Sequence, residues 1–541
     1  MKDRKMLFFF GAAIGAFAFL LTYGTAILDI GYDEWILQGM DLDVRQHYIG
    51  FLHYLRFGKG FPFGCMDTLS YPYTMSVVWT DSIPGLCVLA KLFKWALPEI
   101  PQLFGWFGLF TFVLNGGFAA LLIYRVTGDE AAALLLSPCF ILSYPVLQRM
   151  YYHTSLSAHF IIYAAMLYFL SEKKRSLKRR TIEYALFGFL CVSVHSYFLP
   201  MAGVFLISDT VNEMMEDRIA LKHFIPPVSF AVFSLVSLYL YGAFSTPVNH
   251  AGFAIGGFNA NLNTFFNSLG DGLLPALKNK FDTQYEGFCY LGIGVLLMAV
   301  IAGVILAKRC VSLFQGGAVK AFILNHRKKF LMAVMFFLFV AAAVFPEADL
   351  NTFTIIPDFI PQPVKKLGGV FRSNGRFIWP AAYILILSSI YMIHRYVRKK
   401  TAYVLLVVCV ALELTDVAPY IKEKNEIFSQ EYGYFCLLDR NGPDKDSYSH
   451  IIMTFDNGDL KMNNAYFAAL NKKTVNRFYF ARDIDEAVNE ELEEYKKRAL
   501  SGHPDSDCLY YFNAETLKEW EDAPLTIEKV TDDLFIGYVR K

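Results

Sequence analysis

Residues 31–84 read GYDEWILQGMDLDVRQHYIGFLHYLRFGKGFPFGCMDTLSYPYTMSVVWTDSIP, and how this stretch is read decides the fold. It lies between the apolar run Leu7–Leu28 and the apolar stretches that open at Ser82 and Leu103. A plain connector between two membrane helices needs only a few polar residues. This one carries Asp33, Glu34, Asp41, Asp43, Asp67 and Asp81, the pair Gln46–His47, and many aromatic, Gly and Pro residues. A long acidic, aromatic loop against a bilayer is expected to build a site at the membrane surface.

The rest of the chain supplies the membrane. Of its 541 residues, 55% are hydrophobic and 18% charged, against roughly 25% charged in soluble domains; mean hydropathy is +0.36. The apolar runs repeat at lengths suited to membrane helices, which gives an α-helical polytopic membrane protein. A net charge of +1 with no basic tail argues against a nucleic-acid partner. The nine cysteines are scattered without a CxxC pair, against zinc, iron–sulfur clusters or a disulfide framework. Cys436 and Cys508 share the tail and are expected as free thiols.

The basic MKDRKM start before a span-length core predicts a retained signal anchor with Lys2, Arg4 and Lys5 in the cytoplasm. Ten further spans follow: Leu103–Tyr124, Ala131–Leu147, Ser155–Leu170, Ile182–Phe198, Met201–Met214, Phe224–Tyr241, Tyr290–Ala307, Phe330–Phe345, Phe377–Ile393 and Thr401–Leu414. This eleven-span order puts SEKKRSLKRR (171–180), Arg218 with Lys222, the linker Lys308–Lys329 and HRYVRKK (394–400) in the cytoplasm, as the positive-inside bias requires. Ser82–Leu97 is short, contains Pro84 and has Lys91 and Lys94 on one face, so it reads as an interfacial helix; letting it span would export those basic clusters. Residues 1–418 then form the membrane domain, with a first external loop at 29–101. Residues 419–541 form a small extracytoplasmic α/β domain, with strands Ile451–Phe455, Thr474–Phe480, Cys508–Phe512 and Leu534–Val539 and a charged helix Ile484–Leu500.

In this order the unusual polar residues collect on the outer side. The first loop brings Asp33, Glu34, Asp43, Gln46, His47 and Asp81. QRMYYHTS brings Gln148, Arg149 and His153, and the fifth span ends on His195 and Tyr197. GGFNANLNTFFNSLGDGLLP and YEGFCYLG bring Asn259, Asn261, Asn263, Asn267 and Glu286, and FRSNGRFIWP brings Arg372 and Arg376. With no ATP or nucleotide sugar outside the cytoplasm, an enzyme there is expected to use a lipid-linked substrate entering from the bilayer. Such chemistry needs a carboxylate to take a proton from an acceptor hydroxyl and cations to hold a departing phosphate.

Asp43-x-x-Gln46-His47-Tyr48, FPFG, LSYPY, TDSIP, STPVNHAGF, NANLNTFFNSLG, YEGFCYLG and FRSNGRFIWP together resemble an uncharacterised bacterial membrane family, domain of unknown function 6311. That family is similar to the GT-C superfamily of polyprenyl-phosphate-sugar-dependent glycosyltransferases, which share a long, acidic first external loop. The resemblance implies a GT-C-like transferase in the bacterial plasma membrane. It would move a sugar from a polyprenyl-phosphate-linked donor to a cell-surface glycan or lipid acceptor in an inverting single displacement. Asp43 would be base or metal ligand; Asp33-Glu34 departs from a simple one-acid loop and is the second choice for the catalytic role. Arg149, Arg372 and Arg376 would bind the donor phosphate, and Gln46, His47, Asp81, His153, His195, Tyr197 and Asn261 the substrate. The resemblance leaves room for a divalent metal, Mg or Mn, on Asp43 and Glu286.

Each residue also has a plainer reading. Asp43 suits the N-cap of a helix Val44–Phe57, His47 a packing role, and the Asn series a loop that satisfies its own backbone. A transporter or flippase of lipid-linked glycans, or a non-catalytic envelope scaffold, are the other readings. Transporters often show internal repeats and charges at mid-membrane, whereas here the polar groups sit at one face. Reporter fusions test the sidedness: one at Ser176 is expected to report cytoplasm and one at the C-terminus exterior, and the reverse pattern contradicts the eleven-span order.

Overall fold

The computed structural model describes residues 2–217, 219–245, 248, 255–315, 325–433, 443–482 and 484–540. Arg218, Cys436 and most of STPVNHAGF lie outside the described residues; Cys508 is a buried free thiol. Among the described residues six helices are long and apolar enough to cross a membrane: Arg4–Tyr23, Phe104–Thr127, Leu221–Leu240, Ile293–Val311, Asn374–Tyr396 and Lys399–Phe428. Leu177–Val194, Phe198–Glu216 and Arg327–Val344 are of similar length but carry charged turns, and Phe160–Leu170 is shorter. By length and apolarity alone, then, six of the eleven predicted spans qualify.

The predicted span Ala131–Leu147 is three pieces, Glu130–Leu136, Pro138–Ile141 and Tyr144–Arg149. Pro138 and Pro145 have no N–H to donate and each restarts a helix at its first turn. Pro84–Leu92 has nine residues, about 14 Å of helix, which is too short to cross and agrees with a helix that does not span. Lys399–Phe428 is 30 residues long with Pro419 inside it, about 45 Å against a hydrocarbon core of roughly 30 Å. It therefore runs past the expected boundary at 418/419 without a break. On it, Glu413 accepts the N–H of Val295 and Asp416 those of Ile293 and Leu273, which satisfies the exposed donors at the start of Ile293–Gln315.

Helix ends gather in two sets. In one, Arg125 pairs with Glu172, Lys328 donates to the carbonyls of Phe169 and Ser171, and Asp129 receives the Tyr403 hydroxyl and faces His394. The other set holds the first loop, the candidate site and the tail.

The tail is a five-stranded mixed sheet of β1 (His450–Met453), β2 (Thr474–Val475), β3 (Cys508–Phe512), β4 (Thr526–Thr531) and β5 (Leu534–Tyr538), in the order β2-β1-β3-β5-β4. The pairs β1–β2 and β1–β3 are parallel, and β3–β5 and β4–β5 antiparallel. Helices Gly458–Leu470 and Asp485–Leu500 complete it. The predicted strand Thr474–Phe480 stops at Val475 because the first loop takes over its pairing. Val475 N–H donates to Thr68 O at 3.0 Å, Tyr71 N–H to Val475 O at 2.9 Å, and Ala481 N–H to Trp79 O at 2.8 Å. The loop thus extends the sheet's edge.

Side chains fasten the same junction. Buried Asp33 accepts the hydroxyls of Tyr48 at 2.6 Å and Tyr466 at 2.9 Å, and His53 bonds Ala465 O at 2.8 Å. Asp33 was expected to be catalytic; instead its carboxylate is held between two tyrosines of the loop–tail junction. Glu34 sits beside it in the first turn of Glu34–Leu37. Replacing Asp33 with Ala leaves two buried phenols without their acceptor, and is expected to cost about 3 kcal/mol. A lower thermal midpoint and faster proteolytic release of the tail would register this; an unchanged midpoint would contradict it.

Candidate active site

The site starts from an approach of two loops that only glycine allows. A Cβ on Gly375 would lie 2.8 Å from Gly287 N, 2.9 Å from Gly287 Cα and 2.9 Å from Phe258 O. With hydrogens in both places the backbones touch, and the neighbouring Glu286 and Arg376 meet in a two-pronged pair, Nε to Oε2 at 2.8 Å and Nη2 to Oε1 at 3.0 Å. Asn374 pins this turn by donating to the carbonyls of Ala342, Ala343 and Phe345 at the end of Arg327–Val344. Tyr197 supports it from below: its hydroxyl accepts Ser373 N–H at 2.9 Å and its ring lies 4.8 Å under the Arg376 guanidinium.

Arg149 closes the group. The helix breaks at Pro138 and Pro145 bring it in from the side, where Nη2 reaches Glu286 Oε2 at 2.9 Å and the Glu286 carbonyl at 3.1 Å. One carboxylate therefore serves two guanidiniums, and the buried trio keeps one positive charge. Burial works to raise Glu286, but Arg149 and Arg376 outweigh it and hold the carboxyl below its usual range. Arg149 is 0% exposed, and its Nε and Nη1 have no protein partner.

Asp43 faces this trio through His153, whose Nε2 is 3.4 Å from Asp43 Oδ2 and 3.9 Å from Glu286 Oε1. Asp43 is not the helix cap. Asp41 caps Leu42–Phe57, accepting Leu42 N–H at 2.6 Å, which leaves Asp43 free to point inward from the first turn. Burial pushes the Asp43 carboxyl up to about 7, helped by the charges of Asp41, Asp81 and Glu286 and opposed by Arg376. Burial, then Arg376 and Arg149, hold His153 well below the usual imidazole range. The two partners are pushed in opposite directions, so the neighbouring imidazole stays neutral and Asp43 is the group that exchanges a proton near neutral pH.

A second acid–imidazole pair lies alongside: Asp81 Oδ1 is 3.4 Å from His195 Nε2. His195 Nδ1 accepts the N–H of Tyr197 at 3.2 Å, which leaves Nε2 to carry a proton towards Asp81. Asp81 holds a left-handed backbone, φ 51°, of the kind that clusters at functional sites. Burial favours its neutral form, yet His195 keeps the carboxyl below its usual range. Between the pairs lies His47, whose ring is 5.8 Å from that of His153 and whose two nitrogens have no protein partner. Burial holds it down to about 4.

Other expected site residues are occupied elsewhere. Gln46 donates to Trp79 O at 3.4 Å and supports the loop. Asn261 is buried in a network of its own loop: its amide donates to Gln284 and Asn351 O, and its carbonyl accepts from Asn263 and Asn351 N–H. That corrects its reading as a substrate ligand. Arg372 lies against Phe258 and lines a separate cavity with the tail. Among the described residues no group of three or more His, Cys, Asp or Glu side chains is placed to hold a metal ion. With both Glu286 oxygens on guanidiniums, Asp43 and Glu286 do not form the expected metal pair. Sequence reasoning missed Tyr479 of the tail, which is near enough to feel the charges of Asp43, Arg372 and Asp81. It stands in RFYFAR (477–482), an aromatic run read only as a strand.

Residues 12–418 match the family described as Domain of unknown function (DUF6311), and residues 445–539 match its C-terminal domain. No curated protein matches the chain. Among solved structures, the apo oligosaccharyltransferase of Archaeoglobus fulgidus is similar over 94% of this chain and 69% of that one, at 11% identity and a TM-score of 0.47.

Replacing Glu286 with Gln leaves two buried guanidiniums against a neutral amide. The expected cost is about 3–5 kcal/mol, read as a lower unfolding midpoint in bilayer nanodiscs; a midpoint equal to wild type would contradict the shared-carboxylate geometry.

Proposed function

The chain belongs to the DUF6311 family, and on that premise we propose that it is a membrane glycosyltransferase that moves a sugar from a polyprenyl-phosphate-linked donor to an extracytoplasmic acceptor hydroxyl. The observation that carries this reading is the pairing of unlike groups. A carboxylate poised near neutrality, Asp43, faces a buried cationic trio in which Arg149 keeps two N–H groups without a protein acceptor.

The step runs as one displacement. Asp43 takes the proton from the acceptor hydroxyl, whose oxygen bonds to the anomeric carbon as the carbon–oxygen bond to the phosphate breaks. The electron pair leaves on the phosphate oxygen, where the spare N–H groups of Arg149 and the net charge of the trio stabilise it. A phosphate leaves readily, so no second carboxylic acid is required, and attack opposite the leaving group inverts the anomeric centre. Neutral His153 steadies Asp43, and the Asp81–His195 pair with His47 offers donors and acceptors to the sugar. No step is routed through a metal. On this reading the protein sits in the bacterial plasma membrane, with the site and tail outside.

Asp43→Asn is expected to lower surface-glycan modification at least about 100-fold while protein level and membrane insertion stay unchanged; normal glycan in that strain contradicts the base assignment. The pH profile follows from the raised carboxyl. Asp43 is protonated and inactive as a base below about 7 and free above it, so the transfer rate is expected to climb through neutrality and level off. A rate already at its plateau at pH 5 would contradict it.

A further inference from the structure

A cavity of about 210 Å³ lies where the tail meets the membrane domain. Arg372 comes from the membrane domain; Lys461, Arg477, Asp456 and Asp485 come from the tail. The charges are largely matched within the wall. Lys461 pairs with Asp456 at 2.9 Å, Arg477 donates to Met453 O at 3.2 Å, and Asp485 and Asp456 both act on Arg477. Such a lining has no strong preference for an ion of either sign, but it is dense in hydrogen-bond donors and acceptors. Phe478, Tyr479 and Phe480 add aromatic faces, and Ala481, Ile484 and Val488 aliphatic ones.

That combination matches a sugar ring, whose hydroxyls both donate and accept and whose C–H face packs on an aromatic ring. The volume, below that of a drug-sized pocket, suits a small ligand such as one sugar unit. The position is equally specific. The Tyr479 ring belongs to this wall, while its hydroxyl lies in the fields of Asp43, Asp81 and Tyr285; burial first and those groups next push the phenol up to about 12. The segment is anchored on both sides, by Ala481 N–H on Trp79 O at 2.8 Å and by Arg482 on the carbonyls of Gly369 and Val370 at 2.6 and 3.0 Å. Tyr479 is thus fixed in the cavity wall.

We propose that this cavity is a carbohydrate subsite that seats an uncharged, hydroxyl-rich unit of the acceptor glycan, with Tyr479 as an aromatic wall for that unit. The word acceptor rests on the transferase reading; the binding of a sugar does not. The subsite gives the tail its purpose, since ten of its twelve lining residues come from the tail and only Ser70 and Arg372 from the membrane domain.

Saturation-transfer NMR on the full chain in nanodiscs of deuterated lipid tests it, with the methyl glycosides of glucose, galactose and N-acetylglucosamine as probes. At least one probe is expected to receive magnetisation on its ring protons. Its affinity should fall on the order of tenfold in Tyr479→Ala and also in Arg372→Met, which alters the opposite wall and leaves the tail's own fold untouched. Asp43→Asn is expected to keep the signal. Transfer to none of the probes in the wild-type protein, or undiminished transfer in both cavity variants, overturns the subsite. If sugar binding holds while Asp43→Asn retains full transfer activity, the catalytic assignment falls and the subsite stands.

Discussion

One carboxylate shared by two guanidiniums holds the site together. Arg149 and Arg376 arrive from distant parts of the chain, and both are nearly sealed from solvent. Two like charges at that depth repel strongly, because the surroundings screen them little. Glu286 makes their approach tolerable, and its position depends on the two glycines that let its loop touch the turn holding Arg376. Breaking the trio would cost more than its net stabilisation suggests, since any single loss strands a buried charge. The arrangement leaves a surplus positive charge that is buried and held in one orientation.

Three carboxylates share this small region, two of them held ionised and one not. Glu286 is held ionised by its arginines, Asp81 by His195, and Asp43, with only a neutral imidazole beside it, is lifted towards neutrality. Chemically similar carboxylates thus take different protonation behaviour from their surroundings alone. The scaffold that separates them is ordinary membrane-protein physics. Helix ends converge on one side, irregular backbone is confined to loops packed in protein, and a soluble sheet borrows an edge from the first loop to become part of the wall.

Much of this was legible in the sequence. Apolar runs located the helices, and the clustering of Asp43, His153, His195, Glu286 and Arg376 on one predicted side anticipated that they meet. Spacing along the chain, however, carries no information on which polar group a neighbour will consume. Asp33 looks as catalytic as Asp43 until Tyr48 and Tyr466 close on it. Asn261 looks like a sugar ligand until its own loop takes every one of its bonds. Glu286 reads as a metal ligand until two arginines claim it. The shortened strand after Thr474 escaped notice for the same reason, its pairing partner lying some four hundred residues earlier in the first loop. The break at Pro138 and Pro145 was visible as residues but not as a change of direction, and that turn delivers Arg149.

The most direct measurement is stereochemical. Purified protein in nanodiscs, given a polyprenyl-phosphate hexose of known anomeric configuration and a surface glycan from the host, should release polyprenyl phosphate and form a new glycosidic bond whose configuration NMR can assign. A product of inverted configuration, formed together with the free lipid phosphate, is the result the account predicts. A product of retained configuration, or no release of lipid phosphate with any acceptor, would contradict it.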